Sequence, residues 1–144
     1  MKRFEFRLQS VLSWRARQLE LEKAKLQVLF EELNALAAAR ARLESDLHEA
    51  GRVALASGDP QQLAALGPFR EHIRREQARV EARRADCARR IEAQRESVLN
   101  AERNVRLLEK LKARRLADWN AAVAKELDEL ATDSFLARWV LERR

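Results

Sequence analysis

The sequence predicts an all-α chain: a long antiparallel two-helix coiled-coil hairpin with a short helix in the connection. Three observations carry this. Every glycine and proline (Gly51, Gly58, Pro60, Gly67 and Pro68) lies within one window, residues 51–68. Leucine recurs at heptad spacing along the stretch before that window. Charged residues make up 36% and aromatic residues 6% of the chain, and the abundant types are strong helix formers. Glycine and proline are the main punctuation of a backbone, so a chain that gathers them in one place has one place to reverse.

Helix one is expected over about residues 5–50. Its seam alternates steps of four and three through Leu8, Leu12, Arg15, Leu19, Glu22, Leu26, Leu29, Leu33, Leu36, Arg40, Leu43 and Leu47. A strict seven-residue repeat keeps one stripe facing a partner and imposes a left-handed supercoil. Gly51 falls where a left-handed C-terminal cap belongs. The connection is expected over residues 51–68. Within it Asp59 and Pro60 read as a cap and first helical position, for a short helix at about 60–66.

Helix two is expected over about 69–131, with Gly67 as its cap, Pro68 at its first position and Glu71 in its first turn. Its seam is less regular. Phe69, Val80 and Ile91 recur every eleven residues, then Ile91, Val98 and Val105 every seven. Eleven-residue spacing relaxes a left-handed supercoil, here between Val80 and Ile91. Thr132, Asp133 and Ser134 read as a break before a tail, residues 132–144, carrying the amphipathic piece FLARWVLE.

Three charged residues interrupt the first seam, and an antiparallel register answers them. It sets Arg15 opposite Glu102, Glu22 opposite Arg95 and Arg40 near Glu76. Pairs of this kind set register more than they add stability. In the same register helix one runs out opposite about residue 110. Helix two then overhangs by roughly 30 Å at ~1.5 Å per residue. The overhang keeps an apolar stripe of Leu116, Trp119, Val123, Leu127 and Leu130. Either the N-terminal segment with Phe4, Phe6 and Trp14 folds over it, or a partner covers it, as exposed apolar stripes usually require.

The net charge is +6, with 15 Lys/Arg against 8 Asp/Glu in residues 69–115 and 4 against 6 in residues 116–144. The arginine pairs at 74–75, 83–84 and 89–90 suit phosphates. Interleaved acids, and the lack of aromatic residues between Phe69 and Trp119 to stack bases, argue against nucleic acid. No glycine-rich phosphate loop, zinc-spaced Cys/His cluster or nucleophile–base set is present. The expectation is therefore no catalysis, no metal, no cofactor and no small-molecule substrate. His48 and His72 read as solvated, and Cys87, the only cysteine, as a small buried hydrophobe. One cysteine allows no internal disulfide, so a reducing compartment is permitted. The longest apolar run, ALAAA at 35–39, is far below the ~20 residues of a membrane span, which makes the cytoplasm the default expectation.

Both ends of the chain resemble one family. FEFRLQSVLSWRARQLELEKAKL, residues 4–26, is similar to the opening of the flagellar export-apparatus family FliJ, an aromatic-x-aromatic-Arg-Leu-x-x-hydrophobic-Leu start. KELDELA, residues 125–131, resembles the Lys-x-hydrophobic-Asp-Glu-hydrophobic-Ala stretch near that family's end. The single central break and the longer second helix agree. The resemblance implies an antiparallel coiled coil similar to the gamma-subunit stalk of rotary ATP synthases. Such a protein sits in the central hole of the hexameric flagellar type III export ATPase and promotes assembly of the ring and its ATP hydrolysis. It links the ring to the cytoplasmic domain of the membrane export gate, and is also described as an export chaperone.

The resemblance assigns ATPase-ring binding to Leu116, Trp119, Val123, Leu127 and Leu130, and export-gate binding to Phe69 and Ile73. Glu76, on the next turn, departs from the small or apolar residue expected there. The implied location is cytoplasmic and peripheral, at the inner-membrane face of the flagellar base. Two other readings stay open: the equivalent stalk of a virulence type III secretion system, and a generic coiled-coil adaptor or dimeric scaffold, with or without nucleic-acid binding.

Overall fold

A computed structural model describes residues 3–143. The described residues form an all-α helical hairpin without strands. Helix α1 spans Gln9–Ser57 and helix α2 spans Pro60–Glu142. By compactness the chain divides into two units. One comprises residues 20–99, and the other comprises residues 1–19 with 100–144.

The unit of residues 20–99 contains the reversal and the central seam. Leu29 and Leu36 of α1 and Cys87 and Ile91 of α2 are buried together, with Leu26, Phe30, Leu33 and Val80 packed around them. Cys87 is fully buried, and its thiol donates to the Leu29 carbonyl at 3.4 Å. So small a side chain lets the two backbones approach, as its seam position suggested. The heptad stripe of α1 behaves as read. Within this unit every seam position from Glu22 to Leu47 except Arg40 is buried or half-buried. On α2 the seam runs Phe69, Ile73, Glu76, Val80, Arg84, Cys87 and Ile91. The two successive steps of four around Val80 are the local eleven-residue spacing.

The reversal is far tighter than the window that announced it. Only Gly58 and Asp59 separate the helices, where a connection over residues 51–68 was expected. Gly58 has φ +63°, the left-handed conformation a helix C-cap needs. Ser57 Oγ donates to the Ala54 carbonyl at 2.9 Å and accepts from the Asp59 amide at 3.3 Å. Asp59 caps α2 as expected, its Oδ1 accepting the Gln61 amide at 2.9 Å.

Residues 60–66 are accordingly the first turns of α2, not a separate helix. Gly51 and Gly67 are helical, not caps, and Pro68 lies inside α2, where it cannot donate to the carbonyl of Ala64. The physical reason is burial. Continuing both helices to the tip buries Ala54 and Ile73 and brings Ala50, Val53, Leu66 and Phe69 around one groove. Early termination would leave these side chains in water.

The unit of residues 1–19 with 100–144 contains the chain ends. Here α1 begins at Gln9 instead of near residue 5, its first amide bonding the Phe6 carbonyl at 3.0 Å. Leu12 and Val105 are its buried residues. At the other end Thr132 and Ser134 do not interrupt α2. Their hydroxyls bond back to the carbonyls of Asp128, at 2.8 Å, and Ala131, at 2.9 Å, so the expected tail belongs to the helix through Glu142. Back-bonding satisfies these hydroxyls without breaking the backbone ladder.

The three glycines should separate sharply on substitution. Gly51 and Gly67 have nothing within 4 Å of an added Cβ and no positive φ, so alanine at either should stabilise by about 0.5–1 kcal/mol through helix propensity. Gly58→Ala should destabilise by about 1 kcal/mol, because a Cβ is strained at φ +63°. Thermal and urea unfolding of the three variants measures the contrast, and equal effects at all three would contradict the two-residue turn.

Candidate functional site

The candidate surface belongs to the unit that holds the chain ends. Residues 3–6 precede α1 in non-helical conformation, and their side chains alternate. Phe4 and Phe6 are half-buried while Arg3, Glu5 and Arg7 are exposed. Alternation is what an extended segment produces, whereas a helix would splay residues two apart by about 200°. Phe4 packs on Trp119 with ring centroids 6.0 Å apart and planes tilted by 55°. Lys112 on α2 donates to the Gln9 side chain at 2.8 Å. Around Phe4, Phe6, Leu111 and Trp119 lies an open cleft of about 740 Å³ rimmed by Arg3, Arg7 and Arg115. None of these three arginines has a carboxylate partner among the described residues.

The expected ring-binding stripe is thus split. Trp119 is half-buried beneath Phe4, so the uncovered-overhang reading fails at that residue and the folded-over N-terminal segment is right for it. The aromatic-x-aromatic spacing is the signal for this. Val123 is half-buried as well, while Leu116, Leu127 and Leu130 stay exposed. From Ala124 to Arg143 every described residue is exposed. Phe135, Leu136, Trp139, Val140 and Leu141 add apolar surface that the stripe alone did not anticipate. Arg143 stacks over Trp139 at 3.9 Å, the one close contact on that stretch involving an aromatic ring.

The gate assignment changes in the unit of residues 20–99. Ile73 is only 3% exposed and belongs to the core, so it cannot offer a docking surface. Phe69 is half-buried and lines the groove at the turn with Leu66, Val53 and Ala54. Glu76 pairs with Arg79 of its own helix at 2.6 Å.

The register-setting pairs are also replaced. Arg40 reaches Glu81 at 2.8 Å rather than Glu76, and Glu44 at 3.5 Å. Glu22 accepts from the side-chain amide of Gln94, which also donates to the Glu22 carbonyl at 3.0 Å, and Arg95 turns to Glu92 at 2.8 Å. Gln94 adjoins Arg95, so the central register falls within one residue of the expected one. In the unit of the chain ends, Arg15 stacks on Trp14 at 4.9 Å and Glu102 lies 3.9 Å from Arg106.

Neighbours three and four apart on one helix meet without ordering a second element. They therefore outcompete most cross-helix partners for the long arginines. A further cross-helix ion pair, Arg90 with Glu32 at 3.3 Å, lay outside the three pairs expected. The same competition answers the basic block. Arg75, Arg84, Arg89 and Arg90 each hold a carboxylate, leaving Arg74 and Arg83 of the three arginine pairs without one among the described residues.

Among the described residues no cluster of three His, Cys, Asp or Glu is placed to hold a metal ion, and no helix is long and apolar enough to cross a membrane. No family model, curated protein or solved structure matches the chain.

The Glu22 carboxyl is held below the ordinary carboxylate range, first by the Gln94 side chain and then by Lys25. A group depressed in the folded state contributes stability above its unfolded pKa, and that stability is lost as pH falls through its folded pKa. Gln94→Ala should therefore raise the Glu22 pKa and move acid unfolding to higher pH. Carboxyl NMR titration of the variant against the parent reads the first effect and circular dichroism the second. An unshifted Glu22 titration would remove the contact.

Proposed function

We propose that the chain is a non-catalytic stalk and coupling component of the flagellar type III protein export ATPase. On this reading it promotes assembly and activity of the ATPase ring and links it to the cytoplasmic domain of the export gate, with a chaperone role toward export clients. Its place is cytoplasmic, at the inner-membrane face of the flagellar base. The similarity of residues 4–26 and 125–131 to the FliJ family motivates the reading.

The observation that carries it is the bare terminal part of α2. Leu127 and Leu130, half to two-thirds exposed at 51% and 63%, continue the stripe beyond Trp119 with nothing of their own chain upon them. An apolar helix face of that length is stable in water when a partner encloses it. Trp119 supports this contact indirectly by anchoring the N-terminal segment, and the gate surface narrows to Phe69 at the turn.

Leu127→Ala with Leu130→Ala should reduce stimulation of the export ATPase severalfold while helix content stays near the parent value, since neither side chain is buried in the hairpin. A coupled ATPase assay with the purified flagellar export ATPase, paired with circular dichroism, makes the measurement. Full stimulation by the double variant, or no effect of the parent chain on the ATPase, would count against the proposal.

A further inference from the structure

The segment that covers Trp119 has unused bonding capacity of its own. Among the described residues the backbone amides and carbonyls of Phe4 and Glu5 make no hydrogen bond, and the first carbonyl of the segment to be used is that of Phe6, by the Gln9 amide. An extended stretch with unpaired backbone groups is a template for another extended chain. Its inward side chains, Phe4 and Phe6, stand with Leu111 and Trp119 around the open cleft of about 740 Å³, a volume usual for a ligand site.

Charge decides what kind of chain fits. Arg3 and Arg7 are exposed at the two ends of the segment with Glu5 between them. At ~3.3 Å per residue they stand at most about 13 Å apart. Arg115 of α2 adds a third cation to the rim, and none of the three holds a carboxylate among the described residues. Close by, residues 103–115 carry six basic side chains against the single carboxylate of Glu109. Such a surface favours an anionic occupant. A lipid headgroup or a free phosphate would use the arginines and leave the backbone groups idle. Nucleic acid needs open ring faces, and Phe4 and Trp119 cover each other. A polypeptide uses the arginines, the apolar floor and the backbone together.

Cross-strand pairing then fixes the sequence pattern of that polypeptide, because residues directly opposite share a face. Opposite Arg3 and Arg7 belong acids, opposite Glu5 a base, and opposite Phe4 and Phe6 apolar side chains. Acid-apolar-base-apolar-acid reads the same in both directions, so it serves parallel and antiparallel pairing alike.

We propose that residues 3–7 and the cleft beside them dock an extended acidic segment of another protein with this alternation, added as a second strand. The site is separate from Leu127 and Leu130, so failure of peptide binding would leave the ATPase reading intact.

Fluorescence anisotropy of the full chain with a labelled, end-capped peptide of core Glu-Leu-Lys-Leu-Glu tests it. The peptide should bind, and the charge-reversed Lys-Leu-Glu-Leu-Lys should bind at least about tenfold more weakly. Arg3→Glu with Arg7→Glu should reverse that preference. Both side chains are exposed, so circular dichroism should match the parent. Phe4→Ala, which frees the segment from Trp119, should weaken binding severalfold with every arginine in place.

Methylating alternate backbone nitrogens of the peptide separates strand pairing from plain charge attraction. Methyls on the two leucines, or on the lysine and the second glutamate, point to opposite edges of the strand. One of these two peptides should keep binding and the other lose it. No binding of the parent peptide, indifference to charge reversal, or equal binding of the two methylated peptides would each overturn the proposal. So would binding of single-stranded DNA or of anionic phosphatidylglycerol vesicles in place of the peptide.

Discussion

Close contact between α1 and α2 where Leu29 meets Cys87 is the constraint on which the unit of residues 20–99 depends. The Cys87 side chain is small enough to bury completely and to bond its thiol to the Leu29 carbonyl. Leu36 and Ile91 then close around it. Two helices bury only a seam, so each fully buried position carries a large share of the stability. Once this layer is in register, Glu22 meets Gln94, Glu32 meets Arg90 and Arg40 meets Glu81 along the same face. These polar contacts are mostly exposed and add little energy individually. They report a register that apolar packing has already set.

The ends of the seam are treated in opposite ways. At the turn, both helices continue to within two residues of each other, carrying Gly51, Gly67 and Pro68 inside helical backbone. The cost is a few helix-propensity increments and one missing donor. Against it stands burial of Ala54 and Ile73 and of part of Phe69. At the chain ends, a short extended segment supplies what α1 cannot. Phe4 reaches Trp119 because alternation puts Phe4 and Phe6 on one side and three charged residues on the other. Past that contact α2 carries apolar residues with no cover from its own chain, a surface suited to an external partner.

Electrostatics is organised by distance along the chain. Six arginines of α2 (Arg75, Arg79, Arg84, Arg89, Arg95 and Arg106) find a carboxylate three or four residues away, which neutralises part of the basic block locally. Residues 103–115 are mainly basic and residues 118–133 mainly acidic, and across the boundary only Arg114 and Arg115 lie within a turn of a carboxylate, that of Asp118.

The sequence by itself determined the fold class, the heptad seam of α1, the burial of Cys87, the cap at Asp59 and the register at the centre to within one residue. Those features follow from periodicity and local chemistry, which a single chain displays directly. Tertiary packing alone decided that the reversal occupies two residues and not eighteen. It also decided that Ile73 is core and that Phe4 takes Trp119 out of the free stripe. Breakers such as Gly51 and Pro68 mark where a helix is permitted to end. Whether it ends there depends on what burying the next turn returns, and that can be weighed only when the facing helix is in place.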